Sequence, residues 1–128
     1  PGAGREVMRT SSQRLIRTLW ELEKPVVAAV NGVAAGLGSH LAFACDLVIA
    51  SEEARFIEIF VRRGLAIDAG GAFLLPRLLG LSRAKELVFF GDDLPAPEAH
   101  RLGLVNRVVP AGELAAAAAE WAERLAQG

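Results

Sequence analysis

Two short, unbroken apolar runs, Val26–Val30 and Leu47–Ala50, stand on either side of a stretch from Gly36 to Ala44 in which Leu37, Leu41 and Ala44 recur at helical spacing. No other feature limits the fold as much. A strand of four or five residues without polar alternation is buried on both faces, the condition found in parallel sheets. Two parallel neighbours need a crossover between them, and the intervening helix supplies it. Val26–Val30 and Leu47–Ala50 are therefore expected as adjacent parallel strands.

The remaining segments extend this pattern. Met8, Leu15, Ile16, Leu19 and Trp20 predict a helix over about Arg5 to Leu22, ended by Lys24-Pro25 because proline disfavours helix in the residue before it. Ser51–Arg63 offers no clean apolar face, since Phe56, Glu58 and Phe60 share one strand parity. Gly70-Gly71 opens a helix that Pro76 is expected to kink or interrupt. Ser82 is the expected N-cap of a helix over Arg83–Phe90, and Pro97 opens a short helix that Gly103 ends. Leu104–Val109 reads as a strand. Gly112–Gln127 reads as a helix with Leu114, Ala118, Trp121 and Leu125 on one face. Strands alternating with helices place the chain in the α/β class, as one domain over residues 1–128.

Hydrophobic residues make up 52% of the 128 and charged ones 23%, enough for one packed core. A net charge of −1 offers no general attraction to nucleic acid or to a membrane surface. No apolar run reaches the ~18 residues of a membrane span, and the first residues lack a signal-peptide h-region. Cys45 is the single cysteine, which excludes an internal disulfide and argues against a cysteine-based metal site. A cytoplasmic setting with no metal is the expectation. Twelve of the fourteen basic residues are Arg. Arginine grips phosphate bidentately, although GC-rich coding gives the same bias. The chain opens Pro1-Gly2-Ala3-Gly4 and stops after an Ala-rich helix, so both ends are expected to be cut.

The first candidate for chemistry is Asn31-Gly32-Val33-Ala34-Ala35-Gly36-Leu37-Gly38, where a strand feeds a glycine-bearing turn and the turn feeds a helix. Glycine admits a ligand close to the backbone, and the first helical N–H groups lack internal partners. Together they can hold an oxyanion. A tight strand–helix connection would carry the same residues. A dinucleotide-binding turn is excluded, because the third glycine would fall at Leu41.

Lys24-Pro25 through Val30, Asn31-Gly32, Gly36-x-Gly38, Leu41-Ala42 and Cys45-Asp46 resemble the signature of the enoyl-CoA hydratase/isomerase (crotonase) family. Gly64-Leu65, Gly70-Gly71, Leu75-Pro76-Arg77, Gly80, Gly91 and Ala99-x-x-x-Gly103-Leu104-Val105 continue the likeness in order. The resemblance implies a partial crotonase-like fold built of repeated ββα turns, and trimers or pairs of trimers for the full-length protein. It implies an acyl-CoA thioester as substrate, with coenzyme A part of that substrate and no separate cofactor. Two backbone N–H groups would polarise the thioester carbonyl. By position the second donor falls on Leu37, flanked by Gly36 and Gly38, while the first belongs to an earlier segment, of which Pro1–Gly4 would be the remnant.

The two glutamates with which family hydratases hold and activate water fall here on His40 and Phe60. Phe60 cannot transfer a proton. His40 is conceivable as an acid or base, since imidazole titrates near neutrality; a polar residue without a proton role is the other reading. Glu58 is not moved into the vacant position, because Phe56–Gly64 keeps the family spacing. Asp68, in Gly64-Leu65-Ala66-Ile67-Asp68-Ala69-Gly70-Gly71, could be an N-cap for the helix opened by Gly70 or a desolvated base. Some family isomerases, dienoyl-CoA and ring-type epoxyphenylacetyl-CoA isomerases among them, carry Asp at this position. The resemblance therefore favours an isomerase with Asp68 and His40 as candidate catalytic residues and Leu37, Gly36, Gly38 and Gly70 around the substrate. A hydratase of fatty-acid β-oxidation and a non-catalytic acyl-CoA-binding or assembly protein are the alternatives. Asp46 and Cys45 read as structural, Asp92-Asp93 as a solvated loop, and His100 as a weak candidate. Arg62-Arg63 reads as a surface pair that could also meet CoA phosphates.

Overall fold

The computed structural model describes residues 2–128; Pro1 and the side chain of Met8, both used in the sequence reading, lie outside the described residues. Two helices open it, α1 (Gly2–Thr10) and α2 (Ser12–Trp20). One continuous helix was the expectation. The break falls at Ser11, whose φ of −118° and ψ of −84° are not helical. Its hydroxyl turns back to the Val7 carbonyl, the competition with backbone bonding that makes serine a poor interior helix residue.

Then follow β1 (Val27–Val30), β2 (Val33–Ala35), α3 (Leu37–Ala44), β3 (Leu47–Ser51), β4 (Arg55–Ile57) and a 3-10 helix, Ile59–Arg63. The chain continues through α4 (Gly71–Leu79), α5 (Leu81–Phe90), β5 (Asp93–Pro95), α6 (Ala96–Arg101), β6 (Arg107–Val109), a 3-10 turn at Ala111–Glu113 and α7 (Leu114–Gln127). β1 and β3 pair in parallel, from Val27 opposite Leu47 to Val30 opposite Ala50, as the two apolar runs require. β2 pairs in parallel with β4, β6 joins β3 in parallel, and β5 joins β4 antiparallel. Each ββα turn thus gives one strand to each of two three-stranded sheets. The result is the crotonase-type arrangement, present in part.

Side chains pin the strand ends to one another. The Asp46 carboxylate accepts the Val26 N–H at 2.7 Å, and the Asn106 side-chain oxygen accepts the Val48 N–H at 2.8 Å. The main core gathers Phe43, Val48, Phe56, Leu75, Leu94 and Val105 around small residues such as Ala50, Ala96 and Ala99, which let strands and helices approach closely. A second cluster of Ile16, Ala44, Ala69 and Leu74 ties α2 to α3 and α4. A third, Ile49, Val109, Leu114 and Ala117, seats α7, with Trp121 packed beside it.

Four expectations are corrected. α5 begins at Leu81 with Gly80 as its N-cap, not at Ser82, because Gly80 at φ 82° makes the sharp corner that ends α4 and starts α5. Pro76 stays inside α4; its missing N–H would have reached back to Ala72, on an exposed part of the first turn. Leu104 and Val105 are core residues in a loop, both N–H groups donating to the Ala99 carbonyl, so the strand shrinks to Arg107–Val109. On α7, Ala117 and not Ala118 completes the buried face, and Leu125 is exposed. Among the described residues no helix is long and apolar enough to cross a membrane.

Candidate active site

The site grows from the ends of β2 and β4. Their register sets Ala35 opposite Ile57, so Gly36 and Glu58 leave the sheet side by side, and the Gly36 N–H donates to the Ile57 carbonyl at 2.9 Å. Gly36 has φ 56° and ψ −118°, a conformation open in practice only to glycine. From it the chain turns into α3. Leu37 is the first helical residue, so its N–H has no acceptor within the helix. Among the described residues it also makes none of the turn or loop main-chain bonds. Gly38 is exposed, and the space where its Cβ would stand is empty to 4 Å. The N-terminus of α3 thus has a Leu37 N–H without a main-chain partner among the described residues, next to a glycine with open space on its Cβ side.

One turn further on, α3 carries Ser39 and His40, both without exposed surface. Glu58, only 5% exposed, reaches them from the end of β4. His40 Nε2 and Glu58 Oε2 are 2.7 Å apart, and the Ser39 hydroxyl lies 3.0 Å from Glu58 Oε1 and 2.8 Å from the Gly36 carbonyl. Serine has one proton to give, so it serves one of those acceptors at a time. An ionised carboxylate only accepts, which makes His40 Nε2 the donor to it. His40 Nδ1 is buried without a partner. Phe60 stacks on the imidazole, with ring centroids 5.5 Å apart and planes 21° from parallel. Phe60 thus closes one face of the histidine.

The Cε1–Nε2 edge of His40 also meets the start of α4. A Cβ built on Gly71 would stand 2.4 Å from His40 Cε1 and 2.5 Å from Nε2, so only glycine admits the ring there. Asp68 lies just before, on a turn closed by the Gly71 N–H donating to the Asp68 carbonyl at 2.9 Å. Ala69 has φ 48° and Gly70 φ 80°, the two positive values of a type I′ turn. A Cβ on Gly70 would collide with Ile16 at 2.7 Å. Gly70 is the cap residue of α4, without a side-chain cap bond. Asp68 is therefore no N-cap. Asp68 lines a cavity of about 550 Å³ between α2 and the 67–74 segment, with Ile16, Arg17, Trp20, Ile67 and Phe73 among the walls. That volume lies within the range of small-molecule sites. Burial raises the Asp68 pKa above the ordinary carboxylate range; the His40 charge opposes the rise and the Glu58 charge adds to it.

The structure thus joins Asp68, His40 and Gly70 and adds Glu58, which the sequence reading had set aside. Two further points concern Asp68. Asp68 is not free of neighbouring charge, since His40 and Glu58 both act on it. Leu37 does not line the Asp68 cavity; its side chain packs towards Ile16, Ala69 and Leu74, so the two do not share one cavity here. His40, sealed between Phe60, Gly71 and Glu58, has no surface with which to touch a substrate. Glu58 was set aside because the family spacing from Phe56 to Gly64 gives it no glutamate position, and strand parity gave it no inward face. The chain leaves the strand at Ile57, and Glu58 at φ −82° and ψ 74° turns its side chain inward.

The other candidates are structural. Arg62 donates to the Gly91 carbonyl at 2.8 Å and to Asp93 at 2.7 Å, and Arg55 lies 3.3 Å from Asp93. Asp93 is thus a paired residue of β5, not part of a solvated loop. His100 Nδ1 lies 2.8 Å from the Val105 carbonyl. Burial, with Asp46 beside it, raises the Cys45 pKa, which keeps the thiol protonated and unreactive.

A family model described as enoyl-CoA hydratase/isomerase matches residues 3–128. The chain belongs to the enoyl-CoA hydratase/isomerase family. It is 46% identical over 112 residues to the 1,2-epoxyphenylacetyl-CoA isomerase of Escherichia coli, covering 88% of this chain and 43% of the relative. It is equally similar, 46% over 112 residues with the same 88% and 43% coverage, to the short-chain-enoyl-CoA hydratase of Clostridium acetobutylicum. The crystal structure of an enoyl-CoA hydratase from Bacillus anthracis superposes with a TM-score of 0.88 at 40% identity, over 96% of this chain and 49% of that one. This family member therefore spans less than half the length of these curated relatives.

Proposed function

We propose that the whole protein isomerises an unsaturated or ring-type acyl-CoA thioester through an enolate. The observation that carries this is the position of Asp68: uncapped, on the wall of a largely apolar cavity, with burial raising its pKa. A carboxylate so placed is suited to remove a proton from one carbon and return it to another. The α3 N-terminus at Gly36-Leu37-Gly38 would supply one of the N–H groups that polarise the thioester carbonyl, a donor typically worth ~10²–10³ in rate. One shuttling base suffices for a double-bond shift, and the step uses no metal or redox cofactor; coenzyme A arrives with the substrate. The family likeness supports a trimer or pair of trimers for the whole protein, and the expected setting is cytoplasmic.

A hydratase is the second reading, because relatives carry that name and Glu58 puts a second carboxylate near Asp68. Addition of water asks for two groups flanking the water, whereas Glu58 is already held by His40 and Ser39. The full-length protein assayed with 2-enoyl-, 3-enoyl- and dienoyl-CoA esters separates the readings. Asp68→Asn should cut isomerisation and solvent-deuterium exchange at the α-carbon by ~10²–10⁴ while acyl-CoA still binds. Near wild-type isomerisation by that variant would overturn Asp68 as the base. Binding without turnover in the wild type would point to a non-catalytic acyl-CoA protein.

A further inference from the structure

The fold commits three buried polar side chains to one spot that no substrate reaches. Ser39 and His40 have no exposed surface and Glu58 has 5%. Burying a carboxylate and an imidazole costs free energy unless they are paired, and here they are, at 2.7 Å. Neighbouring groups hold the pair in place, although His40 Nδ1 has no partner among the described residues. Ser39 ties Glu58 to the start of α3, Phe60 covers the ring, and Gly71 clears room for the ring edge. The Gly71 N–H closes the turn that carries Asp68. Anything that moves His40 therefore pushes on the turn beneath the candidate base.

We infer that the Glu58–His40 pair is a positioning element for Asp68, which supports the 68–71 turn through Gly71 and sets the buried polar surroundings in which Asp68 takes up and gives back its proton. The inference rests on the reading of Asp68 as the proton carrier. Charged groups reach Asp68 from three packed elements. His40 comes from α3, Glu58 from the end of β4, and Arg17 and Glu21 from α2 across the cavity. The first two differ from the α2 pair in being buried and locked to each other. Their effects on Asp68 have opposite sign, His40 favouring the ionised carboxylate and Glu58 disfavouring it. Substituting one partner unbalances the other.

The test reads the Asp68 carboxyl itself. Carbon-13 NMR of the side-chain carboxyl, in the full-length protein, follows its titration in wild type, Glu58→Gln and His40→Gln. Each glutamine keeps a hydrogen-bonding group at the junction and removes one charge. Glu58→Gln should lower the Asp68 midpoint and His40→Gln should raise it, and the acidic limb of the pH–rate profile should move in the same two directions. A pair that merely fills space would shift neither midpoint, or both the same way through altered burial, and either result overturns the inference. Should His40→Gln fail to fold, as judged by circular dichroism, Glu58→Gln decides alone: a fall supports the inference, no change or a rise refutes it. Because this titration needs no turnover, it stays readable if Asp68→Asn proves active and the choice of base fails.

Discussion

Gly71 sits where helix propensity and packing pull in opposite directions, and Gly71→Ala measures which wins. The position is the first helical residue of α4 and is not left-handed, so alanine there should gain at most the ~0.8–1.0 kcal/mol of a Gly-to-Ala change in a helix interior. Against this, the new Cβ would stand 2.4 Å from His40 Cε1, 2.5 Å from His40 Nε2 and 2.6 Å from Ile67 Cδ1. Carbon atoms settle at about 3.5–4.0 Å, so each neighbour must retreat by roughly 1 Å. His40 has nowhere to go, with Glu58 at 2.7 Å and Phe60 on its face. Overpacking of this kind costs about 1–3 kcal/mol, and displacing the ring forfeits a hydrogen bond to a charged group, about 1.5–3 kcal/mol. The net expectation is a loss of about 1.5–6 kcal/mol. Urea unfolding of the full-length protein gives the number, with Gly38→Ala as its control. Gly38 also has helical backbone, but nothing lies within 4 Å of an added Cβ, so alanine there should be neutral or gain about 0.4–1 kcal/mol. Gly71→Ala matching wild-type stability, or Gly38→Ala losing as much, would refute the argument.

Two further outcomes follow from the same geometry. The folded-state pKa of Asp68 is raised by burial, so folding favours its neutral form: the site costs no stability below the ordinary carboxylate range, and the penalty grows as pH rises through the folded pKa. Asp68→Asn removes that penalty, so its stability relative to wild type should improve as pH rises from acid towards neutral, in urea unfolding across a pH series; a difference independent of pH would contradict the assigned shift. Asp93→Ala frees Arg55 and Arg62, but all three side chains are 40–52% exposed, so thermal melts should show a loss within the ~0–1 kcal/mol of surface pairs that shrinks with added salt.

Long-range order was largely legible in the sequence, because apolar runs and a helical crossover leave one economical pairing. The expected partners Val26–Val30 and Leu47–Ala50 are the observed β1 and β3 within one residue at the ends. What escaped were elements too short to show a period. β2 and β5 have three residues each, and their strand character comes from the neighbours they pair with, not from alternation of their own. The helix breaks at Ser11 and Gly80 escaped for a related reason: one depends on a hydroxyl folding back, the other on a positive φ, and periodicity reports neither. At the site, Asp68 and His40 were singled out through the family resemblance, Asp68 also as an acid in an apolar stretch. Glu58 was not, since its role depends on where the strand ends. The signal that could have found it is the four-residue interval from Gly36 to His40 taken with the parallel pairing of β2 and β4.

That interval explains why the buried pair forms. Parallel pairing of Ala35 with Ile57 fixes Gly36 and Glu58 as exits from the same sheet edge. A helix starting at Leu37 then brings residues three and four beyond Gly36 over the exit of the neighbouring strand, and those residues are Ser39 and His40, which meet Glu58. A one-residue slip of β4 against β2 would bring Ile59 or Ile57 to the place of Glu58 and turn the carboxylate to the opposite face. The pairing is thus a property of the ββα turn and its register before it is a property of any one side chain. The same turn delivers the chain, through the 3-10 helix and the 64–70 loop, back to α3, where Gly71 meets the Cε1–Nε2 edge of the imidazole. His40 is therefore contacted from two successive turns of the coil at once. Movement of one turn against the other must be felt at that ring, and through Gly71 at the turn that holds Asp68.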